Sequence, residues 1–217
     1  MKILFSILVS ACFFTTTYSQ FSIGGGPSLL KAFGVRSPYY GFHILGEMPV
    51  DESSSYYGKL AFYAKQTSPT FLVGGSAIDF NTDPQAIDIY GKQTFNYITI
   101  EGGRRYYFGN GYDYGFAPYG GTHILAAFNQ TKIVADRYDA SKYSLFNTET
   151  KGSLFNLAFG LSGGVKNDFA WGTLFFDVSF DYFILAQPTN QLAIQGYNQF
   201  GSQVAFSFGL GYKKTIF

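Results

Sequence analysis

The amino-acid sequence predicts an all-β fold: eight antiparallel strands in an up-and-down meander, closed into a transmembrane barrel and preceded by a cleaved signal peptide. Three observations carry this. The chain is 47% hydrophobic and 20% aromatic but only 13% charged, about half the charged fraction of an ordinary soluble domain. After residue 14 no uninterrupted apolar run approaches the roughly 18 to 20 residues that a spanning helix needs. Segment after segment alternates with a period of two, placing bulky apolar residues on one face and small or charged residues on the other. A sheet that turns its greasy face to lipid must close on itself, because only closure leaves no backbone group unpaired in hydrocarbon. A soluble β-barrel that binds an apolar ligand is the competing architecture, and it would have to bury the charges of the opposite face.

Residues 1–19 combine one basic residue, Lys2, an apolar stretch from Ile3 to Phe14, a threonine step and small Ser19, which predicts export with cleavage after Ser19. Val9-Ser10-Ala11-Cys12 also resembles a lipobox, so acylation of Cys12 in place of removal stays open. The mature chain, residues 20–217, reads as one barrel domain. Its first strand, about 20–32, sets Phe21, Ile23 and Leu29 against Gly24, Gly26 and Ser28. The second, about 39–49, sets Tyr40, Phe42, Ile44 and Met48 against His43 and Glu47. After the polar turn 51–55, the third, about 56–67, sets Leu60, Phe62 and Ala64 against Lys59, Tyr63 and Lys65. An insertion of residues 68–93 precedes the fourth, about 94–108, where Ile98 and Ile100 oppose Thr99, Glu101 and Arg105.

Asn110-Gly111 then marks a tight turn. In the fifth strand, about 114–128, Pro118 and Gly120-Gly121 blur the phase and leave its faces unassigned. A second insertion, 129–149, leads to the sixth, about 152–166, with Phe155, Leu157, Phe159, Leu161 and Val165 against Asn156, Ser162 and Lys166. The seventh, about 172–186, sets Leu174, Phe176, Val178, Phe180, Tyr182 and Ile184 against Asp177, Ser179 and Asp181. After a polar loop, 187–199, the eighth runs from Val204 to Tyr212 with Phe206, Phe208 and Leu210 on its large face. Eight crossings of roughly 9 to 11 residues use about 80 of the 198 residues after Ser19, and ten would leave too little for the loops.

Apart from the first loop, connections alternate short and long, as they do in barrels with short periplasmic turns and long outer loops. Near the short-turn side cluster Tyr56, Tyr57, Tyr106, Tyr107, Phe108, Tyr114, Trp171 and Tyr212, a composition that suits an interfacial aromatic girdle.

Charge and thiol content narrow the function. Removing residues 1–19 takes away only Lys2, leaving 14 basic against 14 acidic residues. That balance gives no electrostatic reason to expect nucleic acid as a partner. Cys12 is the single cysteine, so the mature chain has no disulfide, Cys nucleophile or Cys-ligated metal. His43 and His123 lie far apart in sequence, and neither stands two residues from a Ser on its own strand face. Neither a Ser-His catalytic pair nor a zinc site is predicted, and no cofactor is expected. Asp79-Phe80-Asn81-Thr82-Asp83 opens like a calcium loop, but Pro84 replaces the required Gly and Tyr90 the bidentate Glu, so an Asx-rich turn is expected.

A barrel of eight strands is just wide enough for its own side chains to fill it. Glu47, Lys59, Lys65, Glu101, Arg105, Lys166, Asp177 and Asp181 fall on the inward parity and are expected to pair across the lumen, since an isolated buried charge costs several kcal/mol.

The signal peptide ending Ser19-Gln20, the opening FSIGGGPSL, the Gly-rich alternating strands and the terminal Phe217 together resemble the small outer-membrane β-barrels of Gram-negative bacteria, of the OmpA, OmpX and OmpW type. They are most similar to the PorT-like barrel proteins of Bacteroidetes. The resemblance implies residence in the outer membrane among its lipids. It also implies delivery by the barrel-assembly machinery, whose signal a C-terminal aromatic resembles, although Phe217 is out of phase with Phe208, Leu210 and Tyr212 and Lys213-Lys214 interrupt the pattern, as a bulge or a frayed end would. It further implies a non-enzymatic structural or interaction role, including an accessory place in a secretion or other envelope complex. A small pore and a lipid-modifying barrel enzyme are the alternative functions.

Overall fold

The computed structural model describes residues 20–33, 37–109, 111–112, 115–146, 151–188 and 203–216. The predicted signal peptide with Cys12, and also Tyr114, Asn110, most of the 187–199 loop and Phe217, lie outside the described residues.

The strands, in chain order, are β1 (Ser22–Ala32), β2 (Tyr39–Asp51), β3 (Ser54–Thr67), β4 (Phe71–Leu72), β5 (Gly75–Ala77), β6 (Ala86–Ile87), β7 (Tyr90–Tyr107), β8 (Phe116–Ala135), β9 (Tyr143–Leu145), β10 (Lys151–Phe169), β11 (Gly172–Pro188) and β12 (Val204–Thr215). Eight of them form a closed antiparallel ring in the order β1-β2-β3-β7-β8-β10-β11-β12, sealed where β12 returns to pair with β1. The predicted eight-stranded meander is the observed one.

Alternation determines which way each strand faces. Tyr40, Phe42, Ile44, Phe159, Leu161, Phe176, Phe180 and Leu210 project outward, while His43, Glu47, Asp177, Asp181 and Ser207 are buried inside. On β11 the outward apolar run extends from Leu174 to Ile184. Ten residues rise about 33 Å along a strand, and a tilt near 40° shortens this to about 25 Å, the height of a bilayer-spanning apolar band. β8, unassigned from sequence, faces inward at Ala117, Tyr119, His123, Leu125, Ala127 and Asn129, with Phe116, Ile124 and Phe128 outward.

At the short-turn pole the Asp51 carboxylate accepts from the Ser53 amide at 2.9 Å and the Ser54 hydroxyl at 2.6 Å, closing the β2–β3 hairpin. The turn between β7 and β8 docks against it, with the Tyr112 amide donating to the Glu52 carbonyl. Gly111 has φ +77 there, and a Cβ at this position would strike that same carbonyl, so glycine is required.

The opposite pole departs most from the sequence reading. β7 begins four residues before the predicted start of its strand, and β8 runs on to Ala135, so both continue past the apolar band. The insertion of residues 68–93 is itself folded: β4 pairs with the top of β7, and β5 pairs with both β6 and β9 in a separate three-stranded sheet. Because β9 belongs to the next long connection, the two loops form one cap. The Ser141 hydroxyl and amide hydrogen bonds hold the Asp139 carboxyl in that connection below the ordinary range. Asp79 is an Asx turn, accepting from the Asn81 amide at 3.1 Å.

Candidate functional site

The lumen is where the chain concentrates its buried chemistry, because eight strands deliver one polar face to a narrow interior. Seven of the eight predicted lumen charges are buried there: Glu47, Lys59, Glu101, Arg105, Lys166, Asp177 and Asp181. Lys65 is not. It is exposed on the outer wall, because β3 and β7 slip register between Tyr63 and Gln66 and invert the alternation beyond that point.

Arg105 joins two strands' worth of acids. Its Nη1 donates to Glu47 Oε2 at 3.2 Å, and its Nη2 donates to both Asp177 oxygens at 3.0 and 3.1 Å. The guanidinium lies over Tyr57 at 4.1 Å and Tyr119 at 4.9 Å. Glu47 also accepts from Lys213 Nζ at 2.7 Å, from Ser55 at 2.5 Å and from the Tyr107 hydroxyl, while Tyr119 donates to Asp177. One step further from the short-turn pole, Lys59 Nζ meets Glu101 at 2.6 Å, Tyr57 donates to Glu101 at 2.5 Å, and His123 Nε2 lies 2.6 Å from Asp181. Ser179 donates to Asp181 at 3.0 Å. Nearer the short-turn mouth Lys166 binds Asp168 at 2.5 Å and stands over the Tyr107 and Tyr112 rings.

Two kinds of lumen residue escaped sequence reasoning. Lys213 reads in sequence as a break in the last strand's pattern. In fact β12 keeps one unbroken register with β1 through Thr215, Lys213 is buried in phase, and Lys214 is exposed. Tyr57 and Tyr107, read as girdle members, point inward and hydrogen-bond to Glu101 and Glu47. A phenol suits either side of a barrel wall, so hydropathy alone does not place it. The remaining girdle residues fit better: Tyr56, Tyr106, Phe108 and Trp171 are exposed and Tyr212 half-buried. Trp171 stacks on Phe169 and Tyr212 at 5.0 and 5.4 Å.

Above the charges an apolar layer crosses the lumen. Leu30, Tyr39, Phe95, Tyr97, Leu125 and Phe183 are all buried in it, with the Tyr39 and Tyr97 rings edge to face at 4.7 Å. His43 and His123 lie below this layer, both buried, and the ring nitrogens of His43 have no hydrogen-bond partner among the described residues. Neither ring reaches the lipid-facing surface. The described residues hold no group of three or more His, Cys, Asp or Glu side chains suited to a metal ion.

Gly160 on β10 lies against the buried pair of His123 and Asp181. A Cβ there would collide with His123 Nε2 and Asp181 Oδ1. Gly160→Ala is therefore expected to destabilise the barrel by about 1 to 3 kcal/mol, read as a lowered urea midpoint in detergent-lipid micelles.

No family model and no curated protein matches the sequence. Solved structures do match. Neisserial surface protein A superposes with a TM-score of 0.52 at 11% identity, covering 92% of this chain and all of that one. The attachment invasion locus protein Ail of Yersinia pestis, in complex with the heparin analogue sucrose octasulfate, gives 0.45 at 14% identity over 90% of this chain and 97% of that one. A major outer membrane protein of Thermus thermophilus gives 0.44 at 11% identity, covering 91% and 100%. The first of these likenesses identifies the fold as that of a small outer-membrane β-barrel, and at such identity it carries the fold alone.

Proposed function

We propose that this chain is a non-enzymatic integral protein of the Gram-negative outer membrane, whose closed barrel anchors a loop cap that contacts another envelope protein. The observation that carries the reading is the occluded interior. A charge network lies beneath an apolar layer, so among the described residues ions and solutes find no continuous polar path and the buried histidines no access to lipid. What remains available for contact is the outside, above all the cap.

The cap displays apolar side chains that its small sheet does not bury: Ile78 and Phe146 are 60% and 65% exposed, and Phe80, at the tip of the Asx turn, is 96% exposed. Exposed apolar side chains of this size on one cap suit contact with a partner. The apolar band of about 25 Å and the short-turn girdle support residence in the outer membrane with the short turns in the periplasm. By the likeness to PorT-like proteins the partner belongs to a secretion or other envelope complex. Barrel-assembly machinery and outer-membrane lipid are the partners expected during and after insertion.

The test is capture from detergent-solubilised outer membranes with the wild-type chain and with a Phe80→Asp/Phe146→Asp variant. The expected result is an envelope protein retained by the first and reduced at least about tenfold with the second, the variant still migrating as a folded barrel on unheated gels. Equal capture by both removes the cap from the reading. Stepwise conductance of the purified protein in planar bilayers would replace it with a pore.

A further inference from the structure

We propose that Lys65, Lys132 and Lys151 form a binding site on the outer barrel wall for the phosphate of a glycolipid headgroup in the outer leaflet. The site rests on the membrane orientation given above, with the long-loop pole outward.

Successive rows across β3, β7, β8 and β10 change character in order. The row Phe62, Ile98, Phe128 and Phe155 is apolar and outward, with the last two rings 5.1 Å apart. Two residues higher come the amides and hydroxyl of Asn96, Gln130 and Ser153, which stand in register with one another. Two residues higher again, Lys132 pairs directly with Lys151 on one side and Thr94 on the other. Lys65 joins them because the same register slip that removed it from the lumen turns it onto this wall.

These three lysines line one cleft of about 540 Å³ together with Thr94, Asn96 and Gln130, and among the described residues no carboxylate lines it. Direct cross-strand neighbours have Cβ atoms about 5 Å apart, and like charges so placed repel. An anion between them removes that repulsion. Four residues above the last apolar row is about 13 Å along a strand, or about 10 Å in height at the tilt of a small barrel. Lysine stems lie back along apolar surface while the ammonium stays in the polar zone, which places these ammonium groups in the headgroup layer, about 5 to 8 Å thick. A phosphate carried on acyl chains meets both halves of the gradient, its charge on the lysines and its chains on Phe128 and Phe155.

The experiment is native mass spectrometry of the mature chain refolded in detergent, titrated with bisphosphorylated lipid A, with the same lipid stripped of phosphate, or with inorganic phosphate. Tight binding of the bisphosphorylated lipid is expected. Removing its phosphates, or introducing Lys65→Gln/Lys132→Gln/Lys151→Gln together, should weaken binding at least about tenfold. Lys142→Gln, on an exposed loop lysine outside the cleft, should leave it unchanged. Equal binding by the triple variant, or by the phosphate-free lipid, overturns the site. Displacement of the lipid by millimolar inorganic phosphate overturns the lipid as its ligand. Orientation is read separately, by labelling Phe80→Cys on intact cells with an impermeant thiol reagent. Labelling without lipid binding sinks the site alone, whereas binding without labelling sinks the outer-leaflet assignment.

Discussion

Replacing Arg105 by Met is expected to destabilise the barrel by about 3 to 5 kcal/mol, the largest effect of any single lumen substitution. Arg105 is 1% exposed and is the common partner of Glu47 and Asp177. Without it Glu47 keeps Lys213, but among the described residues Asp177 keeps only the Tyr119 hydroxyl as a hydrogen-bond donor, and a buried carboxylate stripped of its bound cation carries a cost of this size. The measurement is the urea midpoint at unchanged slope in detergent-lipid micelles. Arg105→Met combined with Asp177→Asn should recover part of the loss, because the second change removes the stranded charge. Lys65→Met should move stability by no more than about 0.5 kcal/mol, since Lys65 is exposed. A large effect at Lys65 and none at Arg105 would overturn the pairing described above.

Leu161→Arg is expected to cost about 2 to 4 kcal/mol in lipid vesicles, the penalty for a cation at the midplane of a barrel's apolar face. Leu161 is 56% exposed and aligned with Phe180 on β11, in the middle of the apolar band. In a soluble β protein a residue this exposed would tolerate arginine within about 0.5 kcal/mol. The same change at Gln130, above the band, should be nearly silent. Equal tolerance at both positions would mean that the outer face does not meet hydrocarbon.

How far the sequence could be read depended on contrast between neighbouring residues. On β2, β10, β11 and β12 a bulky apolar side chain alternates with a small or charged one, so the period itself assigned both faces. On β8, Gly120-Gly121 and Ala126-Ala127 occupy both parities, and glycine or alanine gives no signal of side. Lys65 was lost to a register slip, which shifts every residue beyond it by one and leaves no trace in composition. Lys213 was hidden by its own charge, which looked like the end of a strand although a barrel interior welcomes a paired cation. The cap was beyond reach for a different reason: β5 and β9 are joined by pairs such as Ser76 with Ser144, a contact between distant segments that no local pattern announces.

The buried interior network has a consequence for how the protein enters a membrane. Among the described residues four cations, Lys59, Arg105, Lys166 and Lys213, are enclosed with four anions, Glu47, Glu101, Asp177 and Asp181, and Lys166 meets Asp168 at the mouth. With each of these cations beside an acid, closing the cylinder calls for few mobile counterions inside. The folding equilibrium of the barrel should accordingly respond only weakly to added salt.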